Sequence, residues 1–251
     1  MTGEYALSSP IVPESMPAGV RIHATTRAMA GFSTGPYERC NLGIRAGDDP
    51  ELVMRNRAAL VDALELPAEP LWLDQVHGID VIDADAPDGA TSCADASFTR
   101  ARGRVLAVLT ADCLPVVLAA EDASVVGVVH AGWRGLSAGV IEACLARLDV
   151  PAARVVAWLG PAISPKHYEV GEEVRAAFLA HDAGADTAFA ATRPGHWSCD
   201  LYALARRRLA RAGVAQTTGG EHCTHADAAR FYSYRRDGET GRIATLAWLE
   251  R

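Results

Sequence analysis

A mixed α/β fold (α+β in its layering), with mixed β-sheets flanked by helices, is what this sequence predicts. Three observations point to it. Short apolar runs of strand length cluster at 104–109, 114–119 and 125–129. Stretches with helical start and stop signals fall before and after them, as at Asp49-Pro50 and Asp200…Gly213. The chain is 251 residues long and 49% hydrophobic, enough for one large core. We read residues 1–19 as a loose lead-in and 20–251 as a single domain.

Taken in order, Val20 to Thr26 alternates as a strand does. Gly31 to Pro36 and Asn41 to Gly43 are rich in turn formers and predict a loop carrying Arg39, Asn41 and Arg45. Asp49 as N-cap and Pro50 at the first helical position open a helix, with Leu52, Leu60, Val61 and Leu64 as its apolar side. Leu71 to Leu73 predicts a short strand leading to His77. The three apolar runs follow, and after His130 the Gly132-Trp-Arg-Gly135 turn feeds a helix over 136–148. A strand at 155–159 ends at Gly160-Pro161, and 168–180 reads as helix. Asp200 caps a helix over 201–212, whose Arg206, Arg207, Arg208 and Arg211 read as a solvated face. Strands at 231–234 and 242–249 predict a hairpin about Asp237-Gly238.

Charge and composition narrow the function. A formal charge of -7 argues against a nucleic-acid partner, which would call for a basic face. No apolar run reaches the roughly 18 residues of a membrane span, and the start has no export-signal layout, so a cytoplasmic protein is expected. The six widely spaced cysteines then read as reduced thiols.

Chemistry concentrates in three segments, around His77, Cys113 and His130. Two imidazoles and a thiolate form a three-donor set for zinc, leaving a position open for water or substrate. Each residue alone has a plain structural explanation. Each also lies in a polar, glycine-containing break beside an apolar run, which strengthens them as a group. Asp112 adjoins Cys113 and either carries a proton, orients a ligand, or caps the turn. Arg134 at the turn after His130 and Arg235 by the predicted hairpin are suited to an anion, or merely flank their turns. Cys223-Thr-His225 reads as structural, with a nucleophile or second metal as the alternative.

The combination resembles the YfiH family, known both as laccase-domain polyphenol oxidases and as purine nucleoside phosphorylases. The resemblance rests on Gly31-Phe-Ser-Thr34, Asn41-Leu-Gly43, Asp74-Gln-Val-His-Gly78, Thr110-Ala-Asp-Cys-Leu-Pro115, Val129-His-Ala-Gly-Trp-Arg-Gly135 and Phe231-Tyr-Ser-Tyr-Arg-Arg-Asp-Gly238. It implies a cysteine-hydrolase-like YfiH fold and zinc held by His77, Cys113 and His130. It also implies phosphorolysis of adenosine, inosine, guanosine and methylthioadenosine, together with adenosine deamination. Cys113, Asp112 and His130 are then the expected catalytic groups. Asn41, Arg45, Arg134 and Arg235 are the expected substrate contacts, with purine nucleosides and phosphate as partners and a monomer or weak homo-oligomer as the assembly. Two other readings compete. Cys113 with His130 as base could form a hydrolase that edits peptidoglycan precursors. A copper polyphenol oxidase fits less well, because the eight histidines are scattered and no His-Cys-His run occurs.

Overall fold

The computed structural model describes residues 9–86 and 93–251. Residues 1–8 of the predicted lead-in lie outside these. The remainder is not wholly loose, because Ile11 pairs with Ala24. In chain order the elements are β1 (Val20–Ala24), α1 (Pro50–Ala63), β2 (Val81–Asp83), β3 (Ala96–Thr99), β4 (Leu106–Thr110), β5 (Leu114–Ala120) and β6 (Val126–Ala131). Next come α2 (Trp133–Ala138), α3 (Val140–Leu148), β7 (Val155–Leu159), β8 (Glu169–Gly171), α4 (Glu172–Leu179), β9 (Phe189–Arg193) and β10 (His196–Cys199). The chain closes with α5 (Leu201–Arg211), β11 (Gln216–Gly219), α6 (Tyr234–Asp237) and β12 (Ile243–Leu249).

The mixed α/β expectation holds. A six-stranded mixed sheet has the order β11-β7-β5-β6-β3-β2, and a three-stranded antiparallel sheet has the order β1-β12-β4. A small third sheet, β8-β10-β9, stands apart from both. The period of two along β5 shows how the layers form. Leu114, Val116 and Leu118 pack with Leu136, Ile141, Leu148 and Leu204, the helical side of the large sheet. Val117 and Ala119 face the other way, against Ile22, Leu106, Val108 and Ala247 of the three-stranded sheet. The outer face of that sheet, with Ala107, Ala244 and Leu246, is covered by Leu60 and Leu66. The result is helix, sheet, sheet, helix. Each fully buried Leu or Val in this stack contributes about 1.5–3 kcal/mol of transfer free energy.

Several predicted elements change, each for a physical reason. Asp49 caps α1 by accepting the Glu51 N–H at 2.8 Å, as expected. Its buried face is Val53, Asn56, Arg57 and Leu60 rather than the all-aliphatic stripe. Asn56 donates to the Asn41 carbonyl and Arg57 to the Leu42 carbonyl, both at 2.8 Å, so the helix holds the 31–43 loop by polar contacts. Residues 71–73 form only an isolated bridge, from Leu71 to Leu106. The helix expected over 136–148 breaks at Gly139, whose φ of +105° ends α2. The stretch 168–180 begins as strand β8, because Val170 pairs with Trp197, and turns helical only at Glu172.

The predicted C-terminal hairpin is absent. Phe231 and Tyr232 are neighbours and both fully buried, so they cannot alternate between core and solvent. The Tyr232 hydroxyl donates to the Glu38 carbonyl at 2.7 Å, and Ser233 caps the single turn α6. Only β12 remains a strand, central between β1 and β4. The arginines of α5 join elements rather than simply facing solvent: Arg208 pairs with Glu142 at 2.8 Å, and Arg207 and Arg211 both pair with Asp182. None of the six cysteines is in a disulfide. Among the described residues no helix is long and apolar enough to cross a membrane.

Candidate metal centre and its cavity

His130 and Cys113 reach one place because of strand register. Pro115 of β5 lies opposite His130 of β6. His130 shares the parity of Val126 and Val128, and Cys113, one residue ahead of β5, shares that of Val117. Both side chains therefore belong to the inter-sheet side, at the end of the layer. His77 arrives from the loop after Asp74, with a left-handed backbone at φ +61°. The three donor atoms all lie within 4.8 Å of one another. His77 Nε2 is 3.8 Å from Cys113 Sγ, and the two imidazoles meet edge to face at 4.7 Å between ring centres.

Asp95, just ahead of β3, organises this group and was not singled out in the sequence. It is completely buried. Its Oδ1 accepts from His130 Nδ1 at 2.7 Å and from the His77 N–H at 2.9 Å. Its Oδ2 accepts from the N–H groups of Gly78 at 2.6 Å and Val76 at 3.1 Å. One carboxylate thus aims one histidine and clamps the loop that carries the other. With Nδ1 of His130 committed to Asp95, Nε2 is left as the donor, the arrangement typical of metal-ligating histidines. A sequence signal was available: an acidic residue between Ala94 and Ala96, just ahead of the short stretch Ala96-Ser-Phe-Thr99.

The local electrostatics favour a deprotonated thiol. Burial works against charge at both Cys113 and His130. The charge and hydrogen bonding of His130, then those of His77, outweigh it and bring the Cys113 thiol down. At His130 burial is likewise outweighed, by the Cys113 charge and the bond to Asp95, which raise the imidazole. A thiolate beside two imidazoles is the donor chemistry that zinc takes. Gly132 supplies the room: a Cβ there would sit 2.8 Å from His77 Cδ2 and 3.0 Å from Cys113 Sγ. By donor type, spacing and available space, the residues fit a metal ion.

The three donors line the inner wall of a cavity of about 410 Å³. Arg45, Trp72, Asp74, Tyr234 and Arg242 also line it, together with Ile44 at the rim. Arg45 is held by Asp74 at 2.8 Å. Gln75 braces the floor by taking the Leu109 N–H at 2.7 Å and giving its amide to the Leu109 carbonyl at 2.8 Å.

The other sequence-selected residues are placed differently. Asp112 has φ +94°, and its carboxylate accepts from the Thr224 hydroxyl at 2.6 Å and the Arg235 N–H at 2.7 Å. It ties the Cys113 turn to the C-terminal segment. Asn41 is fully buried; its amide donates to Asp48 and its carbonyl accepts from the Gly43 and Arg242 N–H groups. Arg134 and Arg235 line a second pocket, not the cavity of the metal donors. Cys223 accepts backbone N–H groups from Ser164 and Ala226 at 3.3 and 3.4 Å, and the Thr224 hydroxyl donates to Asp112.

The chain is similar to known proteins along nearly its whole length. The profile of a family described as multi-copper polyphenol oxidoreductase laccase matches residues 21–250. A Xylella fastidiosa protein named purine nucleoside phosphorylase is 52% identical over 243 residues, 93% of this chain and 94% of that one. The Escherichia coli protein named purine nucleoside phosphorylase YfiH is 46% identical over 244 residues, 97% and 100% of the two chains. Among solved structures, a Neisseria meningitidis protein superimposes with TM-score 0.92 at 43% identity, covering 97% of this chain and 100% of that one. A Bacillus licheniformis YfiH protein follows at TM-score 0.88 and 27% identity, covering 97% and 98%.

Proposed function

This chain belongs to the YfiH family of laccase-like proteins, and on that premise we propose that it is a zinc-dependent purine nucleoside phosphorylase that also deaminates adenosine. The observation that carries the proposal is the open donor set. Among the described residues, His77, Cys113 and His130 converge as a three-donor group, not a closed four-donor site, on the wall of a cavity that a nucleoside would fill. The relatives' name adds the reaction class.

The chain's own groups divide the work. Trp72, Ile44 and Tyr234 offer flat or apolar surface to a purine. Arg45, steadied by Asp74, and Arg242 place positive charge where phosphate would approach the anomeric carbon. Phosphate attacks that carbon as the bond to the purine breaks, and orientation of the two partners is the principal contribution of the wall. Asp95 keeps His130 in one tautomer. Asp112 acts by fixing the turn that presents Cys113, a positioning part that replaces proton carriage in our reading. Zinc, when bound, would supply Lewis-acid polarisation of a water or of a ring nitrogen.

The test is incubation of zinc-loaded protein with adenosine, with and without phosphate, followed by product separation. Adenine and ribose 1-phosphate formed only with phosphate support phosphorolysis, and inosine supports deamination. No turnover, or full activity in metal-free protein or in His77→Ala, overturns the proposal. A second reading draws on the lowered Cys113 thiol beside His130, which is also what a cysteine nucleophile needs. Covalent capture of Cys113 by an acyl or amide substrate in metal-free protein would select that reading instead.

A further inference from the structure

A pocket of about 390 Å³ lies next to the metal cavity and is lined by different residues. The two share walls made of sequence neighbours: His130 faces one and Arg134 the other, and Tyr234 faces one and Arg235 the other. The second pocket gathers Arg134, Arg193, Arg235 and His196 against Glu169 and Glu173.

The charges in it are unequally matched. Arg193 is spent on Glu169, which it engages through two nitrogens at 2.8 and 3.0 Å, and Thr192 takes the other oxygen at 2.6 Å. Arg134 and Arg235 have no such partner among the ion pairs of the described residues. Arg134 rests on the Trp133 ring, 4.5 Å from its centre. Arg235 lies 5.0 Å from the centre of the Tyr168 ring and gives one N–H to the Glu169 carbonyl at 2.6 Å. Each guanidinium is steadied on an aromatic face, which lowers the freedom it would lose on binding. Against them stands Glu173, packed back over Gly171 and in no ion pair among the described residues. The Nδ1 of His196 points to the Pro194 carbonyl at 3.1 Å, which leaves Nε2 for another partner.

We propose that this pocket is a second binding site, separate from the metal cavity, for a small phosphomonoester such as a pentose phosphate. Two guanidinium forks held on separate elements suit the several oxygens of a tetrahedral dianion better than a single planar carboxylate. The volume leaves room for a sugar beside the phosphoryl group. The site does not depend on the phosphorylase reading, since it needs neither metal nor turnover.

The test is calorimetric titration of the metal-loaded full chain at low ionic strength with ribose 5-phosphate, inorganic phosphate and unphosphorylated ribose. Binding of the sugar phosphate, with ribose silent, is expected. Tighter binding of ribose 5-phosphate than of inorganic phosphate assigns the site to the ester; equal binding overturns that assignment. Arg134→Gln and Arg235→Gln should each weaken binding about ten- to a hundredfold, the scale of a lost charged hydrogen bond. Glu173→Gln should tighten it, a gain that a structural role for this region would not produce. Arg45→Gln, on the other cavity, should leave it within about twofold, small against the tenfold that 1.4 kcal/mol represents. The far-UV spectrum and melting temperature report whether each variant folds. No binding by the parent, parent-like binding by both arginine variants, weakening by Glu173→Gln, or loss through Arg45→Gln alone would overturn the proposal.

Discussion

Replacing Asp95 with Asn tests whether one carboxylate sets up the metal centre. The side chain keeps its shape but loses its charge and one acceptor oxygen. In the parent, Oδ1 takes two donors, His130 Nδ1 and the His77 N–H, and Oδ2 takes the Val76 and Gly78 N–H groups. Whichever way the amide turns, its NH2 faces two donors in a fully buried place. If it faces His130, the imidazole can remain hydrogen-bonded only by moving its proton to Nε2, which removes that nitrogen as a metal donor. If it faces the loop, His77 keeps its bond but Val76 and Gly78 lose theirs. Two partly buried donors left unpaired cost at most about 1–3 kcal/mol each, so destabilisation of up to about 6 kcal/mol is expected. Supporting partners of metal ligands typically account for about 10–100-fold in affinity, and the same loss is expected here. Competition with a chromophoric chelator measures zinc affinity, and thermal unfolding measures stability. A folded Asp95→Asn protein that binds zinc within twofold of the parent would refute the reasoning.

Three further outcomes follow from the geometry. Gly132→Ala should keep the fold but displace His77 and Cys113, since its Cβ would approach them to 2.8 and 3.0 Å; a loss of about 100-fold in activity is expected from such misplacement, measured as kcat with zinc saturating. Tyr202→Phe should destabilise by about 1–3 kcal/mol in urea unfolding, because the hydroxyl accepts the buried Ala162 N–H at 2.8 Å and reaches the His222 carbonyl at 2.7 Å. Glu169 governs part of the acid limb. Hydrogen bonds from Arg193 and then Thr192 hold its carboxyl down to about 2, against 4.5 for the free group. The folded value lies below the unfolded one, so its stabilisation is complete above about pH 4.5 and is lost as pH falls towards about 2. Melting temperatures from pH 5 to 3 should therefore fall less steeply in Glu169→Gln than in the parent.

The parts of the molecule legible in the sequence are those whose cause is local. The apolar runs became β4 to β7 with shifts of a residue or two, because uninterrupted aliphatic stretches leave little choice but a doubly covered sheet. Asp49 and Asp200 capped their helices as read, since a cap involves only residues two or three apart. The small sheet β8-β10-β9 was missed. Its strands are three to five residues long, too short for a sustained apolar alternation, and β9 is mostly exposed. The segment 231–234 misled because Phe-Tyr-Ser-Tyr looks β-prone, while Tyr232 is anchored to a carbonyl nearly two hundred residues away.

The same division runs through the site. His77, Cys113 and His130 could be picked from the sequence because each stands in a distinctive short segment. Their convergence, and the cavity beside them, depend on β5–β6 register and on a loop clamped by Asp95. Arg134 lies only four residues from His130, yet faces another pocket. Sequence distance does not set the direction of a side chain past a tight turn. The sequence by itself determined the residue types able to hold a metal and the strands that hold His130 and follow Cys113. Only the tertiary structure decided which carboxylate orients them, which arginines share their cavity and which do not, because those outcomes depend on contacts between segments far apart in the chain.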